Sequence, residues 1–234
     1  MQTISNSQEF VKTYNQIEKY VKDLAGVKKH QPFWVVLNKA GDNNRVVREL
    51  REDLLEYSRL RNAIVHSGSN QTMAEPHDEA VTRIKKIYEV LIEPPTAGEL
   101  FKKKVYTCSP SDRLMDIVDV MRKFDYTQVP IYEDFQLLGL LTENVVVKIF
   151  SDICKTGKVT LTQFLVRDAM EYTKGQFYRI VSEDTDAYTI LDYFLEFVEK
   201  EERLECVLVT RTGETTLLPS GIATTWDVPL IKKI

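Results

Sequence analysis

The sequence contains no apolar run near the roughly 20 residues that a membrane-spanning helix needs. Its opening, MQTISNSQEF, has neither the basic start nor the apolar stretch of a secretory leader. The expectation is a cytoplasmic protein with no membrane partner. Cysteine is scarce: Cys108, Cys154 and Cys206 are far apart, with no C-x-x-C spacing. An odd, scattered set excludes a disulfide framework and a thiolate zinc site, and reads as reduced thiols. A strong basic balance is absent too. The net charge of −4 argues against a general nucleic-acid binder. Residues 1–92 hold a slight excess of bases and the remainder an excess of acids, so only the N-terminal part is mildly hospitable to a polyanion.

What is present is ordinary globular material, 43% hydrophobic and 28% charged over 234 residues, enough for one or two domains with a sizeable core. Residues 1–93 read as helical. Phe10, Tyr14, Ile17, Val21 and Leu24 recur at the spacing of one helix face, with Asn6 and Glu9 placed as an N-cap and its acid. Val47, Leu50, Leu54, Tyr57 and Ile64 form a second face, and Val81, Ile84, Tyr88 and Leu91 a third after Pro76. The stretch FWVVL at 33–37 predicts a shorter element against this three-helix bundle. The prolines and glycine of EPPTAG end the pattern, and 94–98 is taken as a linker.

The second half repeats. KVYTCSP predicts a strand and turn, Leu114, Ile117, Val118 and Met121 a helix, QVPIY and LLGLL two strands, and 143–150 a second helix. FYRIVSED, then Ala187, Leu191, Phe194 and Val198, then ECVLVT and GIATTWDVPLI restart the same order. Two β-α-β-β-α units, 99–154 and 155–234, are expected to pack together because neither alone covers both faces of its sheet. The fold class is therefore α+β, a helical bundle followed by a tandem pair. The strand, Pro-Asp-like turn, helix, V-P-I strand and G-L-L-T strand end, with LVRDAM at 165–170, resemble the CBS domain, the cystathionine-β-synthase module.

That resemblance implies a sensor that binds an adenosine-containing ligand (AMP, ADP, ATP or a relative) and needs no other cofactor. In the family a Thr or Ser, followed three residues later by Asp, holds the ribose; here Thr224 and Asp227 match. A carboxylate can accept from two vicinal hydroxyls while the neighbouring hydroxyl adds a contact. In the first unit Thr142 is retained but Val145 stands at the Asp position, with Asn144 one residue out of register, so ribose binding there is in doubt. Asp227 could equally cap a helix. Tyr178, Ile180, Cys206 and Val207 are candidates to sandwich an adenine, or are ordinary core. Arg179 and Arg211 are candidate phosphate contacts, or simply solvated.

One N-terminal stretch remains. RLRNAIVHSG places Arg61, Asn62 and His66 at the end of the second helical face. Its R-N-x-x-x-H pattern, with a further amphipathic helix behind it, resembles the HEPN domain, the higher eukaryotes and prokaryotes nucleotide-binding family. Catalytic members imply metal-independent RNA cleavage across a homodimer. A titratable imidazole can move a proton near neutral pH and a fixed guanidinium can hold the phosphate charge that grows in the transition state. His66 and Arg61 fit those roles, and Asn62, four residues from His66, could orient the ring. No carboxylate or His/Cys cluster suggests a metal. The bland alternative is a helix end whose positive residues complement the dipole, stopped by Gly68. Arg45, Arg48, Arg51 and Arg59 could guide RNA, though the interleaved acids favour ion pairs.

Overall fold

Ser5, one residue ahead of the expected cap, starts the first helix: its hydroxyl accepts from the Gln8 N–H while Gln8 reaches back to the Ser5 N–H. Asn6 is occupied elsewhere, donating to the Pro76 carbonyl at 3.1 Å and to Asp78 at 2.6 Å. The computed structural model describes residues 5–27, 31–65, 74–156 and 163–232. It divides into two compact units, Met1–Pro95 with Leu230–Ile234, and Thr96–Pro229.

In the first unit, α1 (Asn6–Ala25) buries Phe10, Tyr14, Ile17 and Val21 as its spacing predicts. Leu24 is 39% exposed, because the 3.6-residue period brings Ala25 onto the buried face instead. Gly26 closes the helix in the left-handed conformation, with φ 60°. FWVVL is helical, in α2 (Phe33–Gly41), which buries Val36 and Leu37 and leaves Trp34 exposed. The second expected face is split at Leu50 into α3 (Arg45–Glu49) and α4 (Arg51–Val65). Helix α5 (Asp78–Ile92) follows His77. Edge-on ring contacts, Phe10 to Tyr57 and Tyr14 to Phe33, both at 5.6 Å, join α1 to α4 and α2. Each fully buried aliphatic or aromatic side chain here contributes about 1.5–3 kcal/mol of transfer free energy.

The second unit opens with α6 (Ala97–Phe101), capped by a reciprocal pair of bonds between Thr96 and Glu99. The first repeat contains α7 (Leu114–Phe124), β1 (Gln128–Glu133), β2 (Gln136–Thr142) and α8 (Glu143–Thr156). Strands β1 and β2 pair antiparallel. The strand expected at KVYTCSP is reduced to one parallel bridge, Cys108 to Ile131. After α9 (Val166–Ala169), the second repeat contains β3 (Phe177–Ser182), α10 (Ala187–Glu199), β4 (Leu204–Thr210) and β5 (Gly221–Ala223), and α11 (Val228–Lys232) begins in the second unit and ends in the first. Strand β4 pairs parallel to β3 and antiparallel to β5. The order of parallel partner, helix and antiparallel return is therefore common to both repeats.

The repeats exchange their leading segments. Ala97 and Gly98 donate to carbonyls of Thr185 and Glu183, and Lys103 donates to Ser220, so 97–103 lies on the second repeat. Val166 donates to Asp112, and Val166 and Ala169 join the core of Leu114, Ile117 and Ile149 in the first. Borders drawn at 98/99 and 154/155 cut across this exchange. Tyr132, Leu137 and Leu140 pack with Cys206 and Leu208 to form the core between the repeats.

Candidate functional site

Thr224 and Asp227 sit where β5 passes into a 3-10 turn. Asp227 Oδ2 accepts from the Thr224 N–H at 2.7 Å and from its hydroxyl at 3.0 Å. The capping role weighed for Asp227 is thus present, and it engages one carboxylate oxygen. Both residues line an open cleft of about 470 Å³ in the second unit. Its opposite wall comes from the first repeat and its leading segment: Lys103, Lys104, Tyr106, Asp125 and Tyr126. Trp226, 84% exposed, stands between the two polar residues at the same cleft.

This wall is absent from the sequence-based candidates because it lies about a hundred residues away in the chain from Asp227. The signal that could have found it is compositional: KKKVY at 102–106 sets three lysines beside an aromatic ring, and Trp226 lies inside the Thr-Asp pair itself. Burial, with lesser contributions from Asp112, Cys108 and Asp116, raises the Tyr106 hydroxyl above its ordinary pKa.

Tyr178, Ile180 and Cys206, the candidate adenine contacts, lie instead in the core between the repeats. Cys206 is fully buried, and burial drives its thiol pKa upward. None of the three lines the cleft, although Ile222, packed on the same core, does. Arg179 packs its guanidinium over the Phe197 ring at 4.8 Å and does not line the cleft. Arg211 is exposed and does not line it either.

Thr142 lines a smaller cleft of about 190 Å³ with Asn144, Lys148, Lys174, Arg203 and Glu205. Its hydroxyl accepts from the Val145 N–H at 3.3 Å and from Gln176 at 3.4 Å, and only 2% of the residue is exposed. Val145 belongs to the first repeat's core, which explains an apolar residue where the second repeat has Asp227. The two clefts are built alike, each joining the end of one repeat to the start of the other, but they carry different chemistry.

In the helical unit, Arg61 is half-buried and Asn62 exposed on α4. Arg61 Nη1 donates to Asn62 Oδ1 at 3.2 Å, while its Nε is shielded from solvent and donates to no group among the described residues. The expected orientation of an imidazole by Asn62 concerns His66, which lies outside the described residues. Among the α4 cations and acids, Arg51 pairs with Glu52, and Asp53 with Arg83 on α5. Among the described residues there is no cluster of three His, Cys, Asp or Glu able to hold a metal, and no helix long and apolar enough to cross a membrane.

Among known protein families, the CBS domain matches residues 97–152, within the second unit. Part of the chain is also similar to several solved structures. One is a protein assigned to acetoin utilization (AcuB) from Vibrio cholerae, with a TM-score of 0.45 at 17% identity over 58% of this chain and 88% of that one. Another is CBSX2 in complex with AMP, with a TM-score of 0.42 at 18% identity over 58% and 94%. A third is a CBS domain pair in complex with 5′-methylthioadenosine and S-adenosyl-L-methionine, with a TM-score of 0.41 at 15% identity over 59% and 95%. No curated protein matches the chain.

Proposed function

We propose that Thr96–Pro229 is a tandem CBS sensor for an adenosine nucleotide, with the cleft of Thr224 and Asp227 as its binding site. The observation that carries this is the composition of that cleft. Asp227 uses Oδ2 to hold Thr224 and keeps Oδ1 to accept from ribose hydroxyls. Tyr106, Tyr126 and Trp226 offer apolar faces to a base, and Lys103 and Lys104 offer ammonium groups to phosphates. Val145 deprives the other cleft of the matching carboxylate, so one nucleotide per chain is expected. Calorimetry with AMP, ADP and ATP tests this: the wild type binds at least one of them and Asp227→Ala binds none. Binding that survives Asp227→Ala would reject the site.

The helical unit is then the output, and a metal-independent endoribonuclease built from Arg61, Asn62 and His66 is the reading we favour for it. Arg61 supports it: its Nε meets no acceptor among the described residues, as suits a guanidinium that meets a phosphate in an assembled homodimer. RNA cleavage in EDTA, lost in both His66→Ala and Arg61→Ala and changed in rate by the nucleotide, is the expected result. Nucleotide binding without cleavage would leave the unit a dimerising or partner-docking adaptor.

A further inference from the structure

Beyond the nucleotide cleft, three aromatic rings form a ladder along the surface of the second unit. Phe124 and Tyr126 stack at 5.7 Å with 22° between their planes, and Tyr126 and Tyr106 at 6.4 Å with 27°. Their exposures are 53%, 36% and 37% in the order Phe124, Tyr126, Tyr106. The geometry follows from the end of α7. Asp125 takes a left-handed conformation, with φ 56°, and its N–H returns to the Met121 carbonyl. That reversal sets Phe124 and Tyr126 on one side, where Tyr106 joins them ahead of the Cys108 bridge.

Cations border the ladder at both ends. Lys123 Nζ lies 5.2 Å from the centre of the Phe124 ring, and Arg122 shares a cleft of about 410 Å³ with them. At the other end Lys103 and Lys104 share the nucleotide cleft with Tyr106 and Tyr126, and with Lys102 they line a further cleft of about 340 Å³. The acids nearby are Asp119, which holds Arg122 at 3.4 Å, Asp125 and Asp227 in the nucleotide cleft, and Asp112 and Asp116 near the Tyr106 hydroxyl.

Exposed parallel rings flanked by ammonium groups match a ligand that carries both π-faces and regularly spaced negative charge. Unpaired bases on a phosphate backbone have both. A duplex keeps its base faces stacked inside and cannot offer them. We propose that the Tyr106–Tyr126–Phe124 ladder and its flanking cations form a docking strip for single-stranded nucleic acid. All residues of the strip belong to the second unit. The strip shares Tyr106 and Tyr126 with the nucleotide cleft but rests on Phe124, Arg122 and Lys123, which lie outside that cleft.

Fluorescence anisotropy of the full chain tests it, with labelled oligoadenylate RNA and oligothymidylate DNA of about twelve nucleotides and a duplex of equal length. The single strands are expected to bind at least about tenfold more tightly than the duplex, and binding should weaken as salt rises from about 50 to about 200 mM. Phe124→Ala and Lys123→Glu should each weaken single-strand binding about tenfold or more, while calorimetric binding of the mononucleotide stays unchanged. Asp227→Ala should do the reverse, so the two sites fail independently. Phe124 is more than half exposed, and unchanged melting of the variant shows that the fold is intact. Binding of single strands that is absent, no tighter than that of duplex, or indifferent to Phe124→Ala and Lys123→Glu overturns the proposal.

Discussion

Cys154 is exposed on α8, while Cys108 and Cys206 are buried. Burial pushes the Cys108 thiol up from 9.0 to about 12, with Asp112 adding to the shift. Only a thiolate attacks disulfide reagents readily. A chromogenic disulfide at mildly alkaline pH should therefore titrate one thiol in the native chain and three after denaturation. Tyr14 and Tyr132 are both raised from 10.0 to about 12, chiefly by burial. Their folded pKa lies above the unfolded one, so their contribution to stability is complete below pH 10.0 and is lost as pH rises towards about 12. Denaturant midpoints should fall across that interval, and Tyr14→Phe should flatten the fall at some cost in the neutral range. At this scale the Thr224–Asp227 pair is legible in the sequence, because its tie spans three residues. Lys103, Tyr106 and Tyr126 are not, since they meet Asp227 only after the repeats have packed. For Tyr178 and Cys206 the sequence leaves adenine contact and ordinary core open, since a local strand pattern cannot say whether a face meets ligand or another repeat, and both pack in the core between the repeats.

The elements themselves are more legible than their ends. Spacing of apolar residues locates α1, α5, α7 and α10, since a helix face repeats within the chain. It misses the break at Leu50, because Val47 and Leu54 remain in phase across it. It also overstates the strand at KVYTCSP, whose single bridge to Ile131 depends on a partner that local sequence does not reveal. The exchange of leading segments rests on a close backbone approach: a Cβ on Gly221 would stand 2.5 Å from the Phe101 carbonyl oxygen. Lys102 bridges to Gly221 there and Lys103 donates to Ser220 at 3.1 Å. Gly221→Ala should therefore cost roughly 1–3 kcal/mol. Differential scanning calorimetry should show a melting temperature lower by several degrees. Nucleotide affinity should fall with it, because the same contact positions Lys103 and Lys104.

For the whole molecule, two compact units divide the chain at Pro95, close to the composition change at EPPTAG, and again after Pro229, where no such change marks it. The repeat order in the second unit is likewise visible from sequence, whereas the trading of segments between repeats is not, as it leaves no periodic trace. Nucleotide bound at the Asp227 cleft should raise the melting temperature of the full chain in a concentration-dependent way. Asp227→Ala should abolish that rise; because the residue also caps a turn, the unliganded variant should itself lose about 1 kcal/mol of stability. Thermal shift with and without nucleotide separates the two effects.

Lys103 thus has two attachments: its backbone is pinned to the loop before β5, and its side chain borders the cleft. The polypeptide runs from there through the short α6, capped at its N-terminus by Thr96 and Glu99, to the Pro94–Pro95 pair, where the first segment of the helical unit ends. Strain introduced by an arriving ligand accordingly has a covalent route out of the cleft. Inserting a few glycines after Pro95 would slacken that tether while leaving the cleft's own chemistry untouched.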